Sequence, residues 1–508
     1  MLRTYQTKIE FNTNYLDEVA SFFGMIERKL FLDLLFKKKK RNECKKEYIK
    51  KYQITARQFN SIYVVLDGKI KAIKEINKNQ IRYLNDKITS IQFYLKRKEK
   101  TKERIYQQLK DLEGQDKCQF KKKVKQYRHI KFSIHQKKRL LHRLNFKLKQ
   151  LKRDQQDNKI RICFGSRRLF HKQFNLNENN FKNHEEWKKE WESSRNRIIY
   201  CIGSKDESSG NQTCTYTSNH NLRLRVVNQL TPKYGKYILF EDIKFPYGQD
   251  SINQAIKTYY GLTKGNKKVK YCHSAISYRF IKKEKGWYIF ATVNITPPKY
   301  QTLKGIGSIG VDLNAGFVSC CEIDRFGNPI KQKRISMNTY HRRKNQVKAT
   351  IGEAVKEIIE YGIKTQKPIV VETLDFKKKK ASLKEEMKKQ ARMLSSFTYS
   401  KFIEMIQLRA ERYGVEVIQV NPQYSSIIGQ IKYMKRYGLS SHASAACIIA
   451  RRGVGYQKER IPYRNSLGNF YHLINQYKTI QQRWIQISKS IKKKYSFKNR
   501  IFLLQRIG

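Results

Sequence analysis

The chain has 508 residues, with 108 Lys and Arg against 42 Asp and Glu, so its formal net charge is +66. Hydrophobic residues make up 39%, including 26 Phe and 32 Tyr, which supports a sizeable core and argues against wholesale disorder. So large a positive charge repels itself unless a polyanion neutralises it, and this predicts a nucleic-acid partner. An anionic membrane surface is the alternative partner.

Membrane and disulfide-rich classes are disfavoured. The sequence has no run of about 18 uncharged apolar residues, and its first residues lack the apolar core of a secretory signal. The nine Cys are scattered without a CxxC pair, so we expect reduced thiols and no zinc site. We therefore expect no membrane partner and an intracellular protein.

Residues 1–160 predict a basic helical region that recognises RNA or DNA. Apolar residues recur at helical spacing over 15–36, before the basic run 37–41. No acidic residue occurs over 117–153, which favours a helix with one basic and one apolar face. A merely solvated charged helix is the alternative. The residues expected to contact phosphates are Lys121, Lys122, Lys123, Arg128, Lys137, Lys138 and Arg139.

Residues 161–300 contain short β-branched and aromatic runs separated by Gly, Asn, Ser and Pro. These runs, beginning with ICFGSRRLF at 162–170, predict an antiparallel β-barrel or sandwich. Arg167 and Arg168 are candidate contacts to an RNA or DNA backbone, and an ordinary turn surface is the alternative.

Residues 301–460 predict an α/β domain. Three strands are followed by a helix with apolar residues on one face, the strand 368–371, a helix at about 391–413, another strand and a helix of small residues. Residues 461–508 form a basic, aromatic tail without a chemical signature.

Two acidic residues in this domain stand directly after apolar strands. Asp312 follows SIGV, and Glu372 follows PIVV. A carboxylate at such a position is costly to bury unless it is paired or bound to a metal. Two of them on neighbouring strands can converge on Mg²⁺ or Mn²⁺, the arrangement used for phosphodiester hydrolysis. A capping or turn role for each acid is the alternative.

The α/β region resembles the RuvC-type nuclease domain, of RNase H-like fold, and in particular the transposon-encoded TnpB (OrfB) family. The matching stretches are GVDLNAGFVSCCEIDRFGNPI at 310–330, KPIVVETLDFKKKKA at 367–381, and 391–455. ICFGSRRLFHKQ at 162–173 and IGSKDESSGNQTC at 202–214 resemble a TnpB-related branch without a zinc ribbon.

The resemblance implies a multidomain α+β protein with an N-terminal helical region, a wedge-like β-barrel and a RuvC-like nuclease domain. It also implies an RNA-guided DNA endonuclease of a transposon, with a guide RNA from the transposon end and a target DNA as partners. It further implies a prokaryotic-type cytoplasmic location associated with the nucleoid. The sequence makes no prediction of oligomeric state.

Carried over by position, Asp312 and Glu372 match the first two metal-binding acids of the family. His442 stands where most members have a third acid, and Ser444 stands where they have Asn. An imidazole can ligate a metal or act as a general base, whereas a helix-capping His442 in an impaired site is the alternative. Further candidates for the third carboxylate are Asp375 and Glu411.

Basic residues beside this predicted site are candidates for steering a DNA strand or contacting phosphates. The alternatives are a flexible loop for the Lys run at 377–380 and a favourable helix-dipole interaction for the two Arg. These candidates are Lys377, Lys378, Lys432, Arg451 and Arg452.

Three functional hypotheses remain. The first is the RNA-guided nuclease, and the second is a nuclease-impaired, RNA-guided DNA-binding protein that acts as a repressor. The third is a non-guided RNA- or DNA-binding protein, which would leave the motifs unexplained. A covalent tyrosine mechanism is excluded, because the sequence lacks the His-hydrophobe-His partner motif.

Overall fold

The computed structural model describes residues 1–10, 13–113, 116–262, 268–272, 274–314, 316–339, 342–373, 396–461 and 479–494. The chain mixes helices and sheets and divides into two compact units. Unit 1 contains residues 1–85 and 142–296, and unit 2 contains residues 86–141 and 297–508. No helix in the described ranges is both long enough and apolar enough to cross a membrane.

Helices and strands both occur throughout unit 1. The helices that lie in it or enter it are α1 (Asn14–Leu35), α2 (Arg41–Tyr52), α3 (Ala56–Asp111), α4 (Lys117–Gln156), α5 (Arg167–Lys172), α6 (His184–Arg195), α7 (Thr231–Tyr234) and α8 (Gln249–Ile256). Its strands are β1 (Leu2–Lys8), β2 (Ile198–Cys201), β3 (Cys214–Tyr216), β4 (Leu222–Arg225), β5 (Tyr237–Phe240), β6 (Thr258–Leu262), β7 (Lys268–Cys272), β8 (Ile276–Lys283) and β9 (Gly286–Asn294).

The described strands of unit 1 form separate open sheets, so the predicted closed barrel is wrong. The largest sheet has the order β1-β9-β8-β2, and β3-β4-β5 and β6-β7 form two smaller ones. β1 lies in the region predicted to be helical, and it pairs with β9 from Leu2↔Asn294 to Lys8↔Tyr288. Neither face of β1 is buried, so its sequence lacks the alternation of apolar residues that marks a strand.

The predicted strand at 162–170 is also wrong, because a helix begins inside it. Gly165 has a φ of +110°, a conformation that favours glycine. The Ser166 side chain then accepts a hydrogen bond from the Leu169 amide and caps α5. A turn residue and a helix cap therefore replace the extended backbone.

Helices α3 and α4 run antiparallel between residues 86 and 141. They are 56 and 40 residues long, and the buried Ile91 and Leu95 of α3 follow the spacing of a helix–helix seam. The rings of Tyr106 and Tyr127 lie 5.9 Å apart across this seam. Lys123 Nζ donates to Gln108 Oε1 at 2.7 Å. The apolar face of α4 therefore packs against α3.

The remaining elements of unit 2 surround one mixed sheet. Its strands are β10 (Ser308–Leu313), β11 (Phe317–Ile323), β12 (Pro329–Ser336), β13 (Ile369–Glu372) and β14 (Val417–Val420). Its helices are α9 (Lys344–Thr365), α10 (Ser396–Tyr413), α11 (Ser425–Gly429), α12 (Ser441–Gly453) and α13 (Ile480–Lys494), with a π-helix at Gln430–Met434.

The five strands have the order β12-β11-β10-β13-β14, in which only β11 runs against the others. Alternate residues divide between the two faces of the sheet. Ile309, Val311, Ile369 and Val371 pack in the apolar cluster that contains α9 and α10 residues. The opposite face is covered by α12, and it is the face to which Asp312 and Glu372 belong.

The region predicted as a tail contributes to the core of unit 2. Trp484 and Ile487 of α13 are 3% and 2% exposed and pack with residues of α12. The Trp484 Nε1 donates to the Glu459 carbonyl at 2.9 Å. The segment Ile480–Lys494 is therefore a helix with one buried apolar face, which its basic composition did not indicate.

Gly310 lets α12 lie directly on β10. A Cβ at this position would stand 1.9 Å from the Ala446 carbonyl oxygen. We expect Gly310→Ala to destabilise the protein by about 1–3 kcal/mol, measured by thermal unfolding, because helix and strand must separate. Gly68→Ala in α3 is the control, since nothing lies within 4 Å of its added Cβ and a gain of roughly 0.5–1 kcal/mol is expected. Equal stability of both variants would contradict this account.

Candidate active site

The two predicted acids lie at the same edge of the unit 2 sheet. β10 and β13 are parallel, and their register pairs Val311 with Val371. Asp312 and Glu372 are the next residues on the two strands, so their side chains leave neighbouring strands on one face, with backbones about 5 Å apart. The structure therefore brings together the two carboxylates that the sequence singled out.

Asp312 is held by two side chains. Asn314 Nδ2 donates to its Oδ2 at 2.9 Å, and His442 Nδ1 lies 3.2 Å from the same oxygen. The Asp312 side chain is 15% exposed and that of His442 is 47% exposed. The imidazole packs edge-on against Phe317 at 5.1 Å, and Arg334 covers that ring. These contacts fix the orientation of the carboxylate at a solvent-accessible edge.

Glu372 has its own supporting residues. Ser425 Oγ donates to its Oε1 at 2.8 Å, and the Tyr399 hydroxyl donates to its carbonyl. Arg452 lies close enough for electrostatic interaction: burial lowers the pKa of its guanidinium, and the charge of Glu372 opposes that shift. Arg452 Nη2 also donates to the Gln423 carbonyl at 2.7 Å, which anchors the loop after β14.

The first turn of α12 brings His442 to this edge. Ser440, and not His442, caps the helix, because its Oγ accepts from the Ala443 amide at 3.1 Å. The capping role considered for His442 is therefore taken by another residue, and its imidazole lies on Asp312 instead. Ser444 is fully buried and donates to the Ser441 carbonyl, so it does not line the site.

The donor set suits a hard divalent cation. Across the described ranges, no three His, Cys, Asp or Glu side chains converge as a metal cluster. Two carboxylates from adjacent strand ends are nevertheless a sufficient protein contribution for Mg²⁺, which keeps several waters and takes further oxygens from substrate phosphates. Asp312 and Glu372 provide this oxygen chemistry, and His442 lies against the first of them.

Of the other two candidates for a third carboxylate, the structure describes only Glu411. Glu411 is near the end of α10 that leads into the start of β14. It is twelve residues beyond Tyr399, which corresponds to about 18 Å along the helix axis. This places Glu411 away from the edge where Asp312 lies. Asp375 falls outside the described residues, as do Lys377 and Lys378.

Lys432 and Arg451 have partners inside the protein. Both bind Glu459, whose side chain is 3% exposed: Arg451 Nε lies 2.6 Å from its Oε1, and Lys432 Nζ contacts its Oε2. Burial alone would raise the pKa of Glu459, but the hydrogen bonds from the two cations lower it below its usual value. These contacts give Lys432 and Arg451 a structural role that competes with the predicted phosphate contacts.

The basic residues predicted on α4 are mostly at the surface. Lys137 lies over the Tyr94 ring at 5.3 Å, and Lys138 pairs with Glu99 at 3.0 Å. Arg167 and Arg168 are exposed on α5. Of the α4 residues predicted to contact phosphates, those exposed to solvent are Lys121, Lys122, Arg128, Lys138 and Arg139. Their phosphate contacts stay a prediction.

Sequence reasoning missed the residues that orient the two acids. Asn314 follows Asp312 by two residues, so an Asp-x-Asn spacing could have indicated it. Ser425 and Tyr399 carry no such signal, because each reaches Glu372 only through the fold.

No known family profile matches the chain. Two uncharacterized proteins of Aeropyrum pernix are each 28% identical to it over 157 residues, covering 28% of this chain and 42% and 37% of theirs. The chain thus matches less than half the length of these curated relatives.

Two solved structures show a weak likeness. A Cas12f1–sgRNA–target DNA complex matches at 14% identity and a TM-score of 0.22, over 47% of this chain and 69% of that one. A CRISPR-Cas12f ternary complex matches at 13% identity and a TM-score of 0.20, over 88% and 98%. TM-scores this low support no conclusion about fold or function.

Proposed function

We propose that the protein is an RNA-guided, metal-dependent DNA endonuclease of a transposon, with a RuvC-like site of the TnpB-related kind. The observation that carries this is the pairing of Asp312 and Glu372 on one face at the ends of adjacent parallel strands. The sheet order, with β11 alone antiparallel, is the one that an RNase H-like domain implies. The resemblance over 310–330 and 367–381 and the charge of +66 support the same reading.

Asp312 and Glu372 would hold Mg²⁺ or Mn²⁺. When bound, such an ion makes water nucleophilic at neutral pH and stabilises the leaving oxygen of the phosphodiester. Asn314 and His442 fix the Asp312 carboxylate, and Ser425 orients that of Glu372. The exposed side of His442 leaves the imidazole accessible for proton transfer during hydrolysis.

The direct test uses the full chain purified with the RNA that is transcribed beside its gene. The bound RNA is sequenced, and DNA carrying the matching target is incubated with Mg²⁺ or with a chelator. Cutting of the matching DNA with Mg²⁺, and no cutting with the chelator, supports the proposal. A defined RNA with no cutting under either condition excludes the nuclease, and retention of no defined RNA excludes guidance.

The role of His442 has its own test. We expect His442→Ala to slow cleavage by about 10–100-fold, the usual effect of removing a residue that orients a metal-binding carboxylate. His442→Asp restores an acid at the position and should cleave faster than His442→Ala. Ser441→Ala is the neighbouring control and should cleave like the unaltered protein. Cleavage kinetics that do not change in His442→Ala would rule out any role for the imidazole.

A repressor is the second candidate, and one observation favours it. His442 lies on Asp312 where the resemblance implies a third carboxylate, and such a contact can hold an inactive site in place. A repressor binds guided DNA in Mg²⁺ without cutting it, whether or not Asp312 is replaced by Ala. The nuclease instead cuts the bound target, and Asp312→Ala removes the cutting while the DNA stays bound. Footprinting of the target in Mg²⁺ separates the two candidates.

A further inference from the structure

Unit 1 contains a strongly basic cavity whose lining includes neither Asp312 nor Glu372. Its volume is about 690 Å³, which is large enough for a nucleotide. Its basic lining residues are Arg28, Lys147, Lys159, Arg161, Arg167 and Arg195. Asp154 is the one acid among the lining residues, and it already pairs with Arg161 at 3.2 Å. The cavity therefore favours an anion.

Two guanidinium groups that line this cavity are close enough to repel each other, and Arg28 Nη1 already donates to Asn196 Oδ1 at 2.9 Å. Burial lowers the pKa of Arg28, and the positive charge of Arg195 lowers it further. The Nε of Arg195 is buried, and no hydrogen-bond partner for it occurs in the described part of the chain. Its nearest acid, Glu192, is 4.0 Å away and 48% exposed. An anion bound between the two Arg would offset their repulsion.

Aromatic rings form another part of the lining. Phe170 and Trp191 lie 5.4 Å apart, and Trp191 stacks on Trp187 at 6.0 Å with an interplanar angle of 9°. Phe170 is 38% exposed and lines the cavity, so its ring is accessible to a ligand there. Gly165 allows the Trp191 ring to lie close to the backbone, because a Cβ there would stand 3.2 Å from the ring. A fixed ring beside a partly exposed one is suited to stacking on a base.

Amide side chains form the third part of the cavity lining. Asn77, Gln80 and Gln150 also line the cavity, and amides both donate to and accept from the edge of a base. Phosphate-binding guanidinium groups, stacking rings and amides are the three parts that recognise an unpaired nucleotide.

We propose that this cavity binds one unpaired nucleotide of a nucleic-acid strand, with its phosphate at Arg28 and Arg195 and its base against Phe170 and Trp191. The cavity distinguishes Arg167, which lines it, from the adjacent Arg168, which does not. The proposal therefore assigns nucleotide binding to Arg167 and not to Arg168, although the sequence predicted the same role for both.

The test uses the full chain and single-stranded 5-iodouracil oligonucleotides, in an RNA form and a DNA form of the same sequence, without divalent cations. Irradiation followed by peptide mapping should place the adduct on Phe164, Phe170 or Trp191 in at least one form, and the form with the higher yield identifies the strand. An adduct that maps only elsewhere on the chain overturns the proposal. Because the measurement needs no cleavage, its failure is distinct from failure of the nuclease proposal.

Matched variants test the contacts individually. Arg195→Gln and Arg167→Gln should weaken oligonucleotide binding roughly tenfold more than Arg168→Gln, although each removes one charge. Phe170→Leu keeps an apolar side chain and should lower both affinity and adduct yield about fivefold or more. Equal weakening by Arg167→Gln and Arg168→Gln, or competition by inorganic phosphate as strong as that by a nucleoside monophosphate, overturns the proposal.

Discussion

Replacing Asp312 by Ala should lower the rate of target-DNA cleavage by about a thousandfold or more, equivalent to about 4 kcal/mol of transition-state stabilisation. Asp312 is one of only two carboxylates that the described sheet edge offers to a cation, so its loss removes half of that donor set. Single-turnover cleavage of a labelled target, with the RNA-bound protein in excess, measures the effect.

Two controls show whether the loss of cleavage in Asp312→Ala reflects catalysis or structure. Glu404→Gln removes an acid of α10 that pairs with Lys401 and is 55% exposed, and it should cleave normally. Binding of RNA and target DNA by Asp312→Ala should stay within about twofold, because long-range attraction depends on the total charge of the protein. Normal cleavage by Asp312→Ala would disprove catalysis at this edge, and simultaneous loss of binding would indicate a structural role.

Glu459→Gln should destabilise the protein by about 3–5 kcal/mol, the cost of leaving buried charges without their partner. Glu459 is 3% exposed and binds both Lys432 and Arg451, and its loss leaves two cations in a confined space. Thermal unfolding measures the change. Glu416→Gln is the matched control, because its pair with Lys304 is largely open to solvent and should be worth about 0–1 kcal/mol.

Glu459 also makes the stability of the folded protein depend on pH, and its lowered pKa fixes the direction of that dependence. The two cations hold the pKa of folded Glu459 below its unfolded value of about 4.5. Its contribution to stability is therefore complete above that pH and is lost as the pH falls through the lower folded value. Stability of the unaltered protein should fall in acid more steeply than that of Glu459→Gln. Parallel pH profiles would show that Glu459 is not the coupled group.

Local patterns in the sequence predicted much of unit 2. The helix containing Val347, Ile351, Val355 and Ile358 buries all four residues, because a 3.6-residue period reports directly which face of a helix is covered. The same kind of reasoning located the strands that carry Asp312 and Glu372. Patterns failed at β1, whose half-exposed residues carry no alternation, and at α5, which a glycine and a capping serine start inside an aromatic run.

By itself, the sequence determined the net charge of the protein, most strands and helices of unit 2 and the two acids at strand ends, since these follow from composition and from periods of two or 3.6 residues. The tertiary structure alone decided that Asp312 and Glu372 share one face, that His442 lies on Asp312, and that Lys432 and Arg451 bind Glu459. Each of these depends on strand register or on contacts between residues far apart in the chain. Charge and periodicity describe a residue together with its neighbours in sequence, whereas the identity of a distant partner is set only when the sheet and helices pack.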